Sequence, residues 1–121
     1  MGINKLIVAC ATALVVNLGS ADVEAVNIQL PNGSIYNGEV DANNVPNGQG
    51  TSDNGNGDVV YTGGFVNGQW HGQGIVRYNS NQYTREGEFV NGVFMNGTET
   101  YDYDGHVNQI EDGHRIEDQS R

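Results

Sequence analysis

The stretch Tyr61–Tyr78, YTGGFVNGQWHGQGIVRY, decides how the rest of the chain is read. Tyr61, Gly63 and Phe65 alternate, and a period of two puts such residues on one face of a β-strand. Asn67-Gly68 follows. Both residue types tolerate positive φ, so the pair marks a hairpin turn. On the returning strand Gly74, Val76 and Tyr78 share a face, with Gly72 at its entry. Opposed glycines leave bare backbone on which neighbouring aromatic rings can lie. Ring against backbone then substitutes for a thick core. A unit this short cannot bury its own apolar face and must stack on its neighbours.

The same skeleton recurs on both sides. Upstream, Tyr36, Gly38 and Val40 alternate, and Gly48-x-Gly50 follows. Downstream come Gly87, Phe89, Asn91-Gly92, Gly97, Tyr101 and Tyr103. The offsets are 25 residues from Tyr36 to Tyr61 and 24 from Gly63 to Gly87. Residues 28–36, IQLPNGSIY, read as the second half of one further unit. The outer copies depart from the central one. The first has Val40 in the aromatic place and Asp41-Ala42-Asn43 where Asn-Gly would fall. The third has Arg85 where the leading Tyr would stand, Tyr83 displaced by two, and Glu99 where a second glycine is expected after Gly97.

Tyr61, Gly63, Phe65, Asn67, Gly68, Gly72, Gly74 and Tyr78 together resemble a MORN (membrane occupation and recognition nexus) repeat, and His71 before Gly72 fits a common variant of that motif. The resemblance covers residues 28–105 or so. It implies an all-β protein: an elongated, twisted, single-layer antiparallel sheet of successive hairpins. It also implies a role in holding proteins near membranes.

Composition agrees with a turn-rich β protein. The chain has 121 residues, enough for one small domain, with 18 Gly and 2 Pro. Asn-Gly occurs at 32–33, 37–38, 47–48, 54–55, 56–57, 67–68, 91–92 and 96–97, each a candidate turn. Asp plus Glu number 15 against 5 Lys plus Arg, a net charge of −10. That balance excludes a nucleic-acid partner, because phosphate rewards a basic face. It also opposes unaided binding to anionic lipid.

Residues 1–25 read as a secretory signal: Lys5, then the apolar run Leu6–Val16, then small and polar residues ending near Ala21 or Ala25. The run is too short to span a bilayer. Cys10, the sole cysteine, sits in a lipobox-like Ile7-Val8-Ala9-Cys10, but only four apolar residues precede it, which disfavours a lipoprotein. Cleavage at either site leaves no thiol for a disulfide, a nucleophile or a metal. The expected organisation is a leader over 1–25, a repeat domain over 26–105, and an acidic segment over 106–121. That last segment supplies a capping strand, a short helix or a tail. The protein is expected to be secreted or periplasmic.

Catalytic patterns are missing from the sequence. His71 has turn glycines as neighbours and no carboxylate–nucleophile partner spacing, so a structural role is expected for Trp70-His71. The three histidines show no close ligand spacing, and no metal or cofactor is expected. Asp53–Asp58 (DNGNGD) and Asp102–Gly105 (DYDG) offer oxygens for calcium, but neither completes an EF-hand loop, and turn chemistry accounts for both. Asn32 and Asn96 satisfy glycosylation sequons in expected turns. The sequence therefore points to an interaction module that binds a protein partner or itself. Trp70, Tyr83, Phe94, Tyr101 and Tyr103 are candidates for the exposed binding surface. The alternative is a lipid-binding module assisted by calcium.

Overall fold

The structure, a computed structural model, describes residues 14–18 and 21–116, with side chains described from Ala25 onward. Among the described residues, ten strands follow one another in a single open antiparallel sheet whose spatial order is the chain order. They are β1 (Leu14–Leu18), β2 (Ala21–Gln29), β3 (Ile35–Val40), β4 (Pro46–Asp53), β5 (Val59–Val66), β6 (Gln69–Tyr78), β7 (Tyr83–Val90), β8 (Val93–Tyr101), β9 (Val107–Glu111) and β10 (His114–Arg115). Of the segment read as a signal, residues 1–13 and 19–20 lie outside the described residues. Leu14–Leu18 pairs with the first half of β2. Residues 107–115, left open above between strand, helix and tail, form the last two strands.

Turn chemistry builds this meander. Asn67 and Gly68 have φ of 52° and 81°, and Asn91 and Gly92 have 49° and 86°. Two positive-φ residues in succession are the signature of the type I′ turn, whose twist matches a hairpin. Asp112-Gly113, at 52° and 81°, makes the same turn between β9 and β10. Other Asn-Gly pairs behave differently from expectation. Asn37-Gly38, Asn47-Gly48 and Asn96-Gly97 lie inside β3, β4 and β8. Gly38 and Gly97 are there for the face they present, whereas Gly48 holds a φ of 110°.

That face carries a continuous row. In register across eight strands stand Val26, Gly38, Gly50, Gly63, Gly74, Gly87, Gly97 and Ile110. Six bare positions are closed by a buried aliphatic residue at each end. Two residues along, the parallel row reads Ile28, Tyr36, Ser52, Tyr61, Val76, Arg85, Glu99 and Asn108. The second row corrects the reading of the third repeat. Gly97 opposes Gly87 as Gly74 opposes Gly63, so no glycine is lost. Glu99 occupies the place of Val76 in the central hairpin.

Tyr36 leans across Gly50 and Tyr61 across Gly74. A Cβ built on Gly74 would lie 2.3 Å from the Tyr61 hydroxyl and 2.5 Å from its ring carbons. These rings, with Phe65, Val76, Phe89, Phe94, Val26 and Ile110, form the buried core on one side of the sheet. The other side is polar and open, with Thr51, Thr62, Ile75, Glu86, Thr98 and Gln109 aligned in register.

Candidate functional site

The ring face is built from two kinds of local device. Where β3 and β5 bulge, between Gly38 and Val40 and between Gly63 and Phe65, a carbonyl leaves the ladder. The Tyr36 hydroxyl donates to Glu39 O at 2.5 Å, and the Tyr61 hydroxyl donates to Gly64 O at 2.9 Å. A carbonyl three residues from each ring is thereby satisfied, buried at Gly64 and half-buried at Glu39. Burial pushes both hydroxyls above the ordinary tyrosine range.

The third repeat uses a charge instead. Arg85 stands in the tyrosine place and its Nε donates to Glu99 Oε2 at 2.8 Å. Glu99 is 2% exposed. Its other oxygen accepts from Arg115 Nη2 at 3.1 Å and from Asn108 Nδ2 at 3.3 Å. Burial works to raise this carboxyl, but the bonds from Arg85, Arg115 and Asn108 outweigh it and hold it below its ordinary value. The Arg85 guanidinium lies 5.5–5.7 Å from the ring centres of Tyr78, Tyr83 and Phe94, within cation–π range.

The aromatics divide into two sets. Tyr36, Phe65, Tyr61, Trp70, Phe89 and Phe94 make a contiguous cluster of mostly edge-to-face contacts. Tyr78, Tyr83, Tyr101 and Tyr103 make a separate ladder, at 4.6, 5.3 and 6.2 Å between successive centres. The five residues expected to form one binding surface are thus divided. Phe94 is 8% exposed and packs on Phe89 within the core, so it is not an exposed anchor. Tyr83 and Tyr101 are half-buried in the ladder, and Tyr103 ends it with 78% of its surface exposed. Trp70 lies in β6 and is half-buried. It stacks on Tyr61 at 4.5 Å, and its Nε1–H points to Ser52 Oγ at 3.4 Å.

Trp70 also floors an open groove of about 270 Å³. Its apolar lining is Leu30, Val59, Phe65 and Trp70, and its polar rim includes Asn32, Ser34, Asn54 and Gln69. A neighbouring hollow of about 460 Å³ shares Leu30, Asn32 and Gly68 with it and adds Pro31, Asn43, Asn44, Val45 and Pro46. Neither Leu30 nor Val59 belongs to a position that defines the repeat. Each flanks a turn, and only the register shows that the turns at 31–34 and 54–58 sit on the same edge.

The remaining candidates have structural partners. His71 Nδ1 accepts from the Asn91 amide at 3.2 Å. Asp53 Oδ1 takes the amides of Gly55 and Gly57, and Asn56 Oδ1 takes that of Asp58. Asp104 Oδ1 takes the His106 amide, and Asp102 pairs with Arg77. The oxygens of Asp53, Asn56 and Asp104 therefore serve their own turns, whereas Asp102 reaches Arg77 and Asp58 Oδ1 takes the amide of Ser80 in the neighbouring turn. Among the described residues, no group of three His, Cys, Asp or Glu could hold a metal ion. Asn32 lies in a turn, where its Oδ1 holds the Ser34 amide, whereas Asn96 lies in β8 with its side chain bonded to Glu88. Compared with known proteins, the chain matches no family model and no curated sequence.

Proposed function

We propose that this chain is an exported MORN-type interaction scaffold rather than an enzyme, and that its ring-face groove takes an extended segment of a protein partner. The observation that carries this reading is the groove itself. An open apolar floor of Leu30, Val59, Phe65 and Trp70, ringed by Asn, Ser and Gln, suits a strand-like segment with alternating apolar side chains. The tyrosine-over-glycine packing supports the MORN assignment, and the Lys5 plus Leu6–Val16 pattern supports export.

A photo-crosslinking residue tests the reading. Placed at exposed Gln69 on the rim, it should capture a protein in the exported fraction of the native host. Placed at exposed Gln109 on the opposite face, it should not. Capture at both positions, or at neither, removes the groove as the binding site. Flotation with anionic liposomes is the companion measurement. With a net charge of −10 the folded protein should stay at the bottom. Calcium-dependent flotation would move the assignment to a membrane module.

A further inference from the structure

Three turns lie along one edge of the sheet, and each is fastened to the preceding hairpin by two bonds. The glycine amides of Gly68, Gly92 and Gly113 donate to the backbone oxygens of Pro46, Trp70 and Met95, at 2.9, 2.8 and 2.9 Å. The first turn residue donates to a side chain. Asn67 N–H goes to Asn47 Oδ1 at 3.3 Å, Asn91 N–H to His71 Nδ1 at 3.2 Å, and Asp112 N–H to Asn96 Oδ1 at 3.1 Å. Asn47 and His71 hold the same place, three residues before the row glycines Gly50 and Gly74, and Asn96, directly before Gly97, makes the same bond from a different position in its unit. Two of the three acceptors are amide oxygens, which accept at every pH. The imidazole Nδ1 accepts only while it carries no proton, so this bond fixes the proton on Nε2. Protonation would turn Nδ1 into a donor facing the donor of Asn91.

We propose that His71 is a pH-sensitive fastener between the β5–β6 and β7–β8 hairpins. Acid loosens the Asn91-Gly92 turn and leaves the two equivalent turns in place. On β5 and its turn, Gly64, Phe65, Val66, Asn67 and Gly68 carry no ionisable group, and neither do Val90, Asn91, Gly92 and Val93 on the facing hairpin. Glu88, opposite Gln73 two residues along β6, is the nearest ionisable group in register, and its Oε1 is held by Asn96 Nδ2. Gly92 also lines the groove floored by Trp70, so the loosened turn is part of the groove wall. That last consequence rests on the binding reading above; the fastener does not.

Amide hydrogen exchange of the full chain, followed by NMR between about pH 8 and pH 5, tests the proposal. Asn67 and Asp112 act as controls within the same molecule. Protection of the Asn91 amide, corrected for intrinsic exchange, should fall roughly fivefold on acidification, the loss of one ordinary hydrogen bond. Protection at Asn67 and Asp112 should hold. In His71→Asn, which copies the other two fasteners, the pH dependence at Asn91 should vanish. Parallel behaviour of all three amides in the wild type, or persistence of the Asn91 effect in His71→Asn, would overturn the proposal. Neither outcome depends on a partner, so failure of the groove reading would leave this result standing.

Discussion

Gly74 illustrates what a single residue decides. The Tyr61 ring occupies the volume its side chain would take, so even a methyl group must displace an aromatic ring that is itself packed on Phe65, Trp70 and Phe89. Gly74→Ala is expected to cost about 2–3 kcal/mol, read as a shift of the urea midpoint. Gln73→Ala, next in sequence but on the polar face, should stay within about 0.5 kcal/mol. Trp70 belongs to the same packing. Trp70→Ala should lower stability by about 2 kcal/mol or more in a thermal melt, not merely abolish binding, because the indole covers the Tyr61 ring. The alternation of Tyr61, Gly63 and Phe65 made the ring-on-glycine arrangement legible from sequence. The role of His71 was not, although a signal existed. Asn47-Gly48 and His71-Gly72 share one place in their units, a polar residue before glycine three residues ahead of the row glycine. The Asn-Gly pairs hid it, since the same dipeptide serves as a turn at 67–68 and as a strand position at 47–48.

At the level of elements, the last hairpin depends on one carboxylate. Glu99 joins Arg85 of β7 to Arg115 of β10 across β8 and β9. From the sequence Arg85 and Glu99 looked like two independent losses from a repeat. Their cross-strand pairing shows them to be one exchange of a ring for an ion pair, which only the register reveals. Glu99→Gln is expected to cost about 1–3 kcal/mol. The figure is below that of a fully enclosed pair because both arginines reach water. The pH dependence follows from the carboxyl being held below its ordinary value in the folded state. Its contribution is complete above the unfolded carboxylate value of about 4, and is lost as pH falls through the lower folded value. The stability gap between wild type and Glu99→Gln should therefore be widest near neutrality and close on acidification. Parallel urea melts at about pH 7 and pH 3 would read this directly, and a constant gap would count against the linkage.

Among the described residues the strands pack chiefly on their immediate neighbours in the sheet, as in repeat arrays. Stability should therefore grade from centre to ends rather than break at one point. A chain ending at Gly105 would lose Ile110 from beside Gly97 and Arg115 from beside Glu99. Exchange of β8 amides should then rise well above that of β5 amides, while β5 and β6 keep their protection. Uniform loss would indicate a single cooperative unit instead. The fold class and the central hairpin were readable because period, turn and ring-on-glycine logic coincide in residues 61–78. The groove was not, because Leu30, just past the end of β2, and Val59 and Trp70 of β5 and β6 are brought together only by the sheet.

The glycine row has a further meaning for length. Val26 and Ile110 differ from everything between them, while the interior positions repeat one another. A duplicated hairpin inserted in the middle would meet glycine on both sides and leave the bookends untouched. Strands lie about 4.8 Å apart, so each added pair would lengthen the molecule by roughly 10 Å. The distance between the Trp70 groove and the Tyr103 end is in that sense a ruler with a fixed graduation. Gene duplication, or a designer, can change its reading without redrawing the core.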